Sequence, residues 1–183
     1  MSSGSIYDRS SNESTRTITI GHSRIHEGKS FFCEELKVLG SVNDTLALCF
    51  KTPPDSSERV NLVISSFMLA QGVVELIEGP TWDSSSGTQK TIYNRLRESS
   101  NTSGVLEDTT GSFAANSAMV LDPTNLTGGT AIMPVGTISG QTLWPGDPDR
   151  QEIVLNPDTT YCVRATALAG SNSAQMFLTW YEG

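Results

Sequence analysis

From Arg16 onward, apolar and polar residues alternate with period two, the mark of β-strands buried on one face. Ile18 and Ile20 alternate with Thr17 and Thr19, and Leu46, Leu48 and Phe50 with Ala47, Cys49 and Lys51. Val60, Leu62 and Ile64 form a third row. Val73 to Ile77 is a denser apolar run that stops at Gly79-Pro80. Tyr161, Val163 and Ala165 oppose Cys162, Arg164 and Thr166, while Met176, Leu178 and Trp180 oppose Phe177, Thr179 and Tyr181. Weaker patterns predict strands over residues 30–38, 91–97, 113–121, 130–138 and 151–155. Turn signals separate the runs, among them Asn43-Asp44, Pro53-Pro54-Asp55, Asp122-Pro123 and Gly128-Gly129. No stretch sustains an amphipathic helical stripe, and residues 93–100, the longest helical candidate, are broken by polar positions. Eight to eleven strands with unequal loops predict an all-β fold, an antiparallel two-sheet β-sandwich of jelly-roll type spanning residues 16–183.

Residues 1–15 are different. After Met1 their strongly apolar residues are Ile6 and Tyr7, too few to offset the entropy of ordering the segment. They are expected to form an extended N-terminal arm reaching about 50 Å. Ile6 and Tyr7 would fill pockets on a neighbouring subunit.

Composition sharpens the picture. The chain has 24 serines and 20 threonines, and charged residues are 17% against about 25% in ordinary domains. Hydroxyl residues compete poorly for helix interiors, which strengthens the β assignment. The formal charge of −8 removes the cationic footprint that nucleic acid or anionic lipid requires, so neither is expected as a partner. No apolar run approaches the roughly 18 residues of a membrane-spanning helix. Residues 1–15 lack the apolar core of a signal peptide. Cys33, Cys49 and Cys162 show no CxxC spacing, and an odd count points to reduced thiols used as small packing residues in a protein made in a cytosol.

Reactive constellations are sparse. The chain carries no GxGxxG, P-loop, GxSxG or HExxH motif, and Ser139 beside Gly140 has the wrong glycine spacing for a nucleophile elbow. His22 and His26, read on a strand, stand about 13 Å apart, too far for one metal. Glu75 and Glu78 face opposite sides, as do Glu34 and Glu35, so neither pair suits glycoside hydrolysis. Asp147, Asp149 and Glu152 have metal-like spacing, but Arg150 lies inside the cluster and Pro148 stiffens it, so a solvated acidic turn is expected. Neither an enzyme nor a cofactor is expected. Trp82 and Trp144 lie in turn-rich loops outside any alternating row, and are expected either at protein contacts or folded back as plugs; Trp180 is in phase with Met176 and Leu178 and belongs to the core.

Several segments stand out together: Arg24-Ile25-His26-Glu27-Gly28, Phe31-Phe32, Phe50-Lys51-Thr52-Pro53 and Tyr93-Asn94-Arg95. Ile153-Val154-Leu155-Asn156, Thr159, Tyr161 and Arg164, and Trp180-Tyr181-Glu182 complete the set. Together they resemble a family of tailed-bacteriophage head decoration (capsid cement) proteins. The resemblance spans residues 21–182, with residues 99–141 departing from it. It implies a non-enzymatic virion protein on the outer capsid surface, made in the host cytoplasm. The implied partners are the major capsid protein and, as a dimer or trimer, further copies of the chain. The alternative is a carbohydrate- or receptor-binding module of a phage fibre, with Trp82 and Trp144 as stacking faces.

Overall fold

The computed structural model describes residues 20–83, 86–106, 118–133, 141–143 and 152–183. The arm with Ile6 and Tyr7, the Trp144 loop, and Asp147 and Asp149 lie outside them.

Among the described residues, twelve strands form two antiparallel sheets. The first joins β1 (Ser30–Leu39), β3 (Val60–Met68), β6 (Tyr93–Asn94), β9 (Gln141–Leu143), β10 (Ile153–Val154) and β12 (Asn172–Glu182). Its order is β10-β3-β12-β1-β6, with β9 also on β3. The second joins β2 (Thr45–Lys51), β4 (Gly72–Thr81), β5 (Thr88–Thr91), β7 (Ala118–Leu121), β8 (Thr127–Met133) and β11 (Thr160–Ala167), in the order β5-β7-β2-β11-β4-β8. The sheets pack face to face as a sandwich. Their inner rows are the alternating positions read above: Leu46, Leu48 and Phe50, Leu62 and Ile64, Tyr161, Val163 and Ala165, and Met176, Leu178 and Trp180 all lie in one core. Burying such side chains contributes about 1.5–3 kcal/mol each before entropy is charged against it.

Three elements differ from the expected pattern. Residues Ile20–His26 form a helix, α1, instead of continuing a first strand. It is stopped by a cap in which Lys29 N donates to Arg24 O at 2.9 Å and Gly28 N donates to Ile25 O at 3.0 Å, with Gly28 at a φ of 68°. Seven residues are too short for periodicity to reveal. On this helix His22 and His26 are one turn apart, and the 13 Å separation expected for a strand is replaced by 2.9 Å between their Nε2 atoms. Secondly, β4 does not stop at Gly79-Pro80 but continues to Thr81, because Gly79 takes a φ of 71° and Pro80 still pairs with Gly128. Thirdly, the strand expected over residues 91–97 is interrupted: β5 ends at Thr91, β6 covers only Tyr93–Asn94, and turns follow.

Gly28 also lies against Ser99, which a Cβ at that position would strike. Gly28→Ala is therefore expected to lower stability by about 1–2 kcal/mol, read as a shift in the urea midpoint with the slope unchanged.

Charge enters the space between the sheets in one region. Glu35 and Lys37, on the inner face of β1, make ion pairs to Lys90 on β5 and to Asp122 just after β7, the latter at 2.6 Å. Lys37 Nζ also donates to Thr45 O at 2.8 Å, and Ala47 N donates to the second oxygen of Asp122. The Glu35 carboxylate holds the Lys90 ammonium above its usual pKa. The two pairs act as struts along one side of the sandwich.

Candidate functional site

The side chains of β1 change character halfway along it. Phe31, Cys33 and Leu39 face the core, but between the last two Leu36 and Val38 point outward. Leu36 and Val38 are 63% and 77% exposed. Phe32 is on the same outer face, since it directly follows the buried Phe31 and successive strand residues alternate. Its ring lies 5.8 Å from Phe177 on β12 and 5.5 Å from Tyr93 on β6. Register explains the cluster: Phe32 is opposite Tyr93 on one side and Thr179 on the other, with Phe177 opposite Glu34. The Arg97 guanidinium covers Tyr93 at 5.4 Å from the ring centroid. Ser65, Phe67, Gln175 and Phe177 line a shallow cleft beside the rings. From Phe32 to Val38 the row runs about 20 Å along β1, with Glu34 its one charged member on that strand.

A second polar feature sits where β12 ends. The buried Glu182 carboxylate accepts hydrogen bonds from Ser103 Oγ, from Trp180 Nε1 at 3.1 Å and from Gly104 N at 3.0 Å. Burial raises its pKa above the usual carboxylate value despite these donors. It closes the floor of a cleft of about 420 Å³ bordered by Lys29, Glu58 and Asn101. Because all of its near donors belong to the chain itself, the carboxylate ties residues 103–104 to β12 and has little capacity left for a ligand.

Several of the other acidic residues have structural partners. Glu75 pairs with Arg164 at 2.9 Å, and Glu78 accepts from Tyr161 Oη at 2.7 Å. Glu152 accepts from Tyr181 Oη at 2.7 Å. Glu34 is exposed and Glu35 points inward to Lys90. Among the described residues no three His, Cys, Asp or Glu side chains gather closely enough to hold a metal.

Of the two positions expected for Trp82, at a protein contact or folded back as a plug, it occupies the folded-back one. Its indole is only 8% exposed and packs with Ala47, Cys49, Ile77 and Cys162, against Leu126, on the outer face of the second sheet. The chain turns back after Thr81, and the turn is pinned to residues 124–125: Asp83 N donates to Thr124 O, and its carboxylate accepts from Thr124 Oγ1 and Asn125 Nδ2. Here the plug reading holds. Cys49 and Cys162 are directly opposed across β2 and β11 beneath the plug, and Cys33 is in the main core. All three are buried, and burial pushes the Cys33 thiol up to about 11.

The aromatic face was not singled out from the sequence as a site. Its signal was present in Phe31-Phe32, since neighbouring strand residues cannot both face the core, and in Phe177, which fell on the row opposing Met176 and Leu178. No family model matches the chain, and neither a curated protein nor a solved structure matches it.

Proposed function

We propose that this chain is a non-enzymatic structural protein that decorates the outside of a tailed-bacteriophage capsid, docking on the major capsid protein through the outer face of its first sheet. The observation that carries the reading is the outward row of half-buried Phe32 and exposed Phe177, Leu36 and Val38. Contiguous apolar rows of this kind favour association with another protein, because covering them releases ordered water and needs no ligand chemistry. The family resemblance supports it in a spatial way. Arg24 to Gly28, Phe31-Phe32, Tyr93 to Arg95 and Trp180 to Glu182 are scattered in the chain, but they meet at one end of the first sheet. There Asn94 Nδ2 donates to Gly28 O, Arg95 N to Ser30 O and Glu182 N to Lys29 O.

A carbohydrate-binding role is the second reading. It draws on Tyr93 and Phe177 as stacking rings with Arg97, Ser65 and Gln175 nearby. The aliphatic Leu36 and Val38 favour the protein partner, since they offer a sugar no aromatic face.

The test is cosedimentation with empty shells of the encoding phage that lack this protein. The wild-type chain is expected to bind saturably. Leu36→Ser with Val38→Ser is expected to weaken binding at least tenfold, with the melting temperature moved by no more than a few degrees because both side chains are exposed. Equal binding by the variant would remove this face from the contact. Absence of binding by the wild type, together with retention on a glycan array, would favour the second reading.

A further inference from the structure

His22 and His26 are exposed on α1 and emerge on one side of it, four residues apart. Their ring centroids are 4.8 Å apart with planes tilted by 36°, and the two Nε2 atoms are separated by 2.9 Å. A metal bound to both nitrogens at about 2.05 Å would see them at an angle of about 90°. That is the bite of two adjacent positions in a tetragonal or octahedral ion. A tetrahedral ion would need about 109°, and hence a separation of about 3.3 Å. Tetragonal nitrogen coordination is the preference of Cu(II) and Ni(II), and Cu(II) also heads the affinity order of the first-row divalent ions.

We infer that His22 and His26 form a two-imidazole chelating site for a tetragonal divalent transition metal, Cu(II) ahead of Ni(II). In the metal-free chain one Nε2–H donates to the other Nε2, so one ring carries its proton on Nε2 and the other offers a lone pair. On binding, two nitrogen–metal bonds form and two waters leave the hydrated ion. The donor ring moves its proton through solvent from Nε2 to Nδ1, so both rings remain neutral and no proton is released. Among the described residues no third His, Cys, Asp or Glu joins the pair.

Local structure prepares the pair. The Gly28 cap keeps α1 helical through His26, and Glu27 is held by Ser23 Oγ at 2.9 Å and Arg24 Nη1 at 2.7 Å. These contacts hold the helical turn in which the two imidazoles lie close together, so little ordering remains to be done when the ion arrives. The chain's net charge of −8 favours cation approach.

The experiment is a titration of the untagged full chain with copper(II) chloride at neutral pH in a non-coordinating buffer, followed by calorimetry and electron paramagnetic resonance. One equivalent is expected, with an axial spectrum and hyperfine structure from two imidazole nitrogens. His22→Ala and His26→Ala should each weaken binding roughly a hundredfold, because losing one arm of a chelate loses its effective concentration. Both side chains are exposed, so circular dichroism should show the variants folded. The inference is overturned if the double variant takes up one equivalent with unchanged affinity, or if the wild type shows no saturable uptake below millimolar copper. Tighter binding of Zn(II) than of Ni(II) would overturn the tetragonal assignment.

Discussion

Glu182→Ala is expected to destabilise the sandwich by about 3 kcal/mol, because it strands three buried donors at once. Ser103 Oγ, Gly104 N and Trp180 Nε1 all converge on this carboxylate, and the core indole of Trp180 would lose its polar anchor. Glu182→Gln keeps the shape but offers one carbonyl oxygen and turns an NH2 group towards donors, so a loss of about 1–2 kcal/mol is expected. The pH dependence of that loss has a definite sign. Burial raises the carboxyl pKa in the folded chain above its ordinary value of 4.5. The folded state therefore takes up this proton at a higher pH than the unfolded state does. The resulting stabilisation is fully present below the ordinary value, and it is lost as pH rises through the raised one. Urea unfolding of wild type and Glu182→Gln between pH 4 and pH 8 should show the wild type's advantage growing as pH falls. A constant or shrinking advantage would show that the three chain donors, not burial, dominate the carboxyl.

Trp82→Ala should have a loss of similar size, about 3 kcal/mol, and a chemical signature of its own. The indole covers Cys49 and Cys162 on the outer face of the second sheet, so removing it uncovers two thiols; burial, followed by the Cys162 contact, holds Cys49 well above its usual pKa. Their reaction with a soluble thiol reagent, mapped by mass spectrometry, should accelerate at least tenfold. Cys33, packed between the sheets, serves as the internal reference and should not change. Trp82→Phe should keep most of the cover. If the alanine variant leaves all three thiols equally protected, Trp82 is not the plug.

How much of this was legible follows from where the two faces of each strand end up. The rows Leu46-Leu48-Phe50, Tyr161-Val163-Ala165 and Met176-Leu178-Trp180 could be read directly because one face is in the core and period-two alternation reports that burial. β5 was not legible: Thr88, Gln89, Lys90 and Thr91 carry no apolar alternation, and the strand is held by pairing with β7 and by the Glu35 ion pair. Helix α1 is one short, exposed piece with no buried residue, so its cap and not its hydrophobic pattern defines it. Trp82 stayed open between two readings because the turn that folds it back depends on residues 124–125, some forty positions away. The aromatic face required knowing that β6 and β12 flank β1, a fact of pairing that no local window contains.

The change of character along β1 has a bearing on how the chain finds its fold. In the first half of the strand the apolar residues, Phe31 and Cys33, point inward; in the second half Leu36 and Val38 point outward. Sliding the second half by one residue against β12 would bury Leu36 and Val38 and turn Leu39 outward, exchanging one buried apolar residue for two. What opposes the slip is electrostatic: Glu35 and Lys37 find Lys90 and Asp122 only in the native alignment, and in the slipped one those charges would be turned to the outside without partners. The ion pairs thus work as alignment keys, trading some burial for a single answer. Neutralising both keys should populate a misaligned folding trap in which the outer face is hidden.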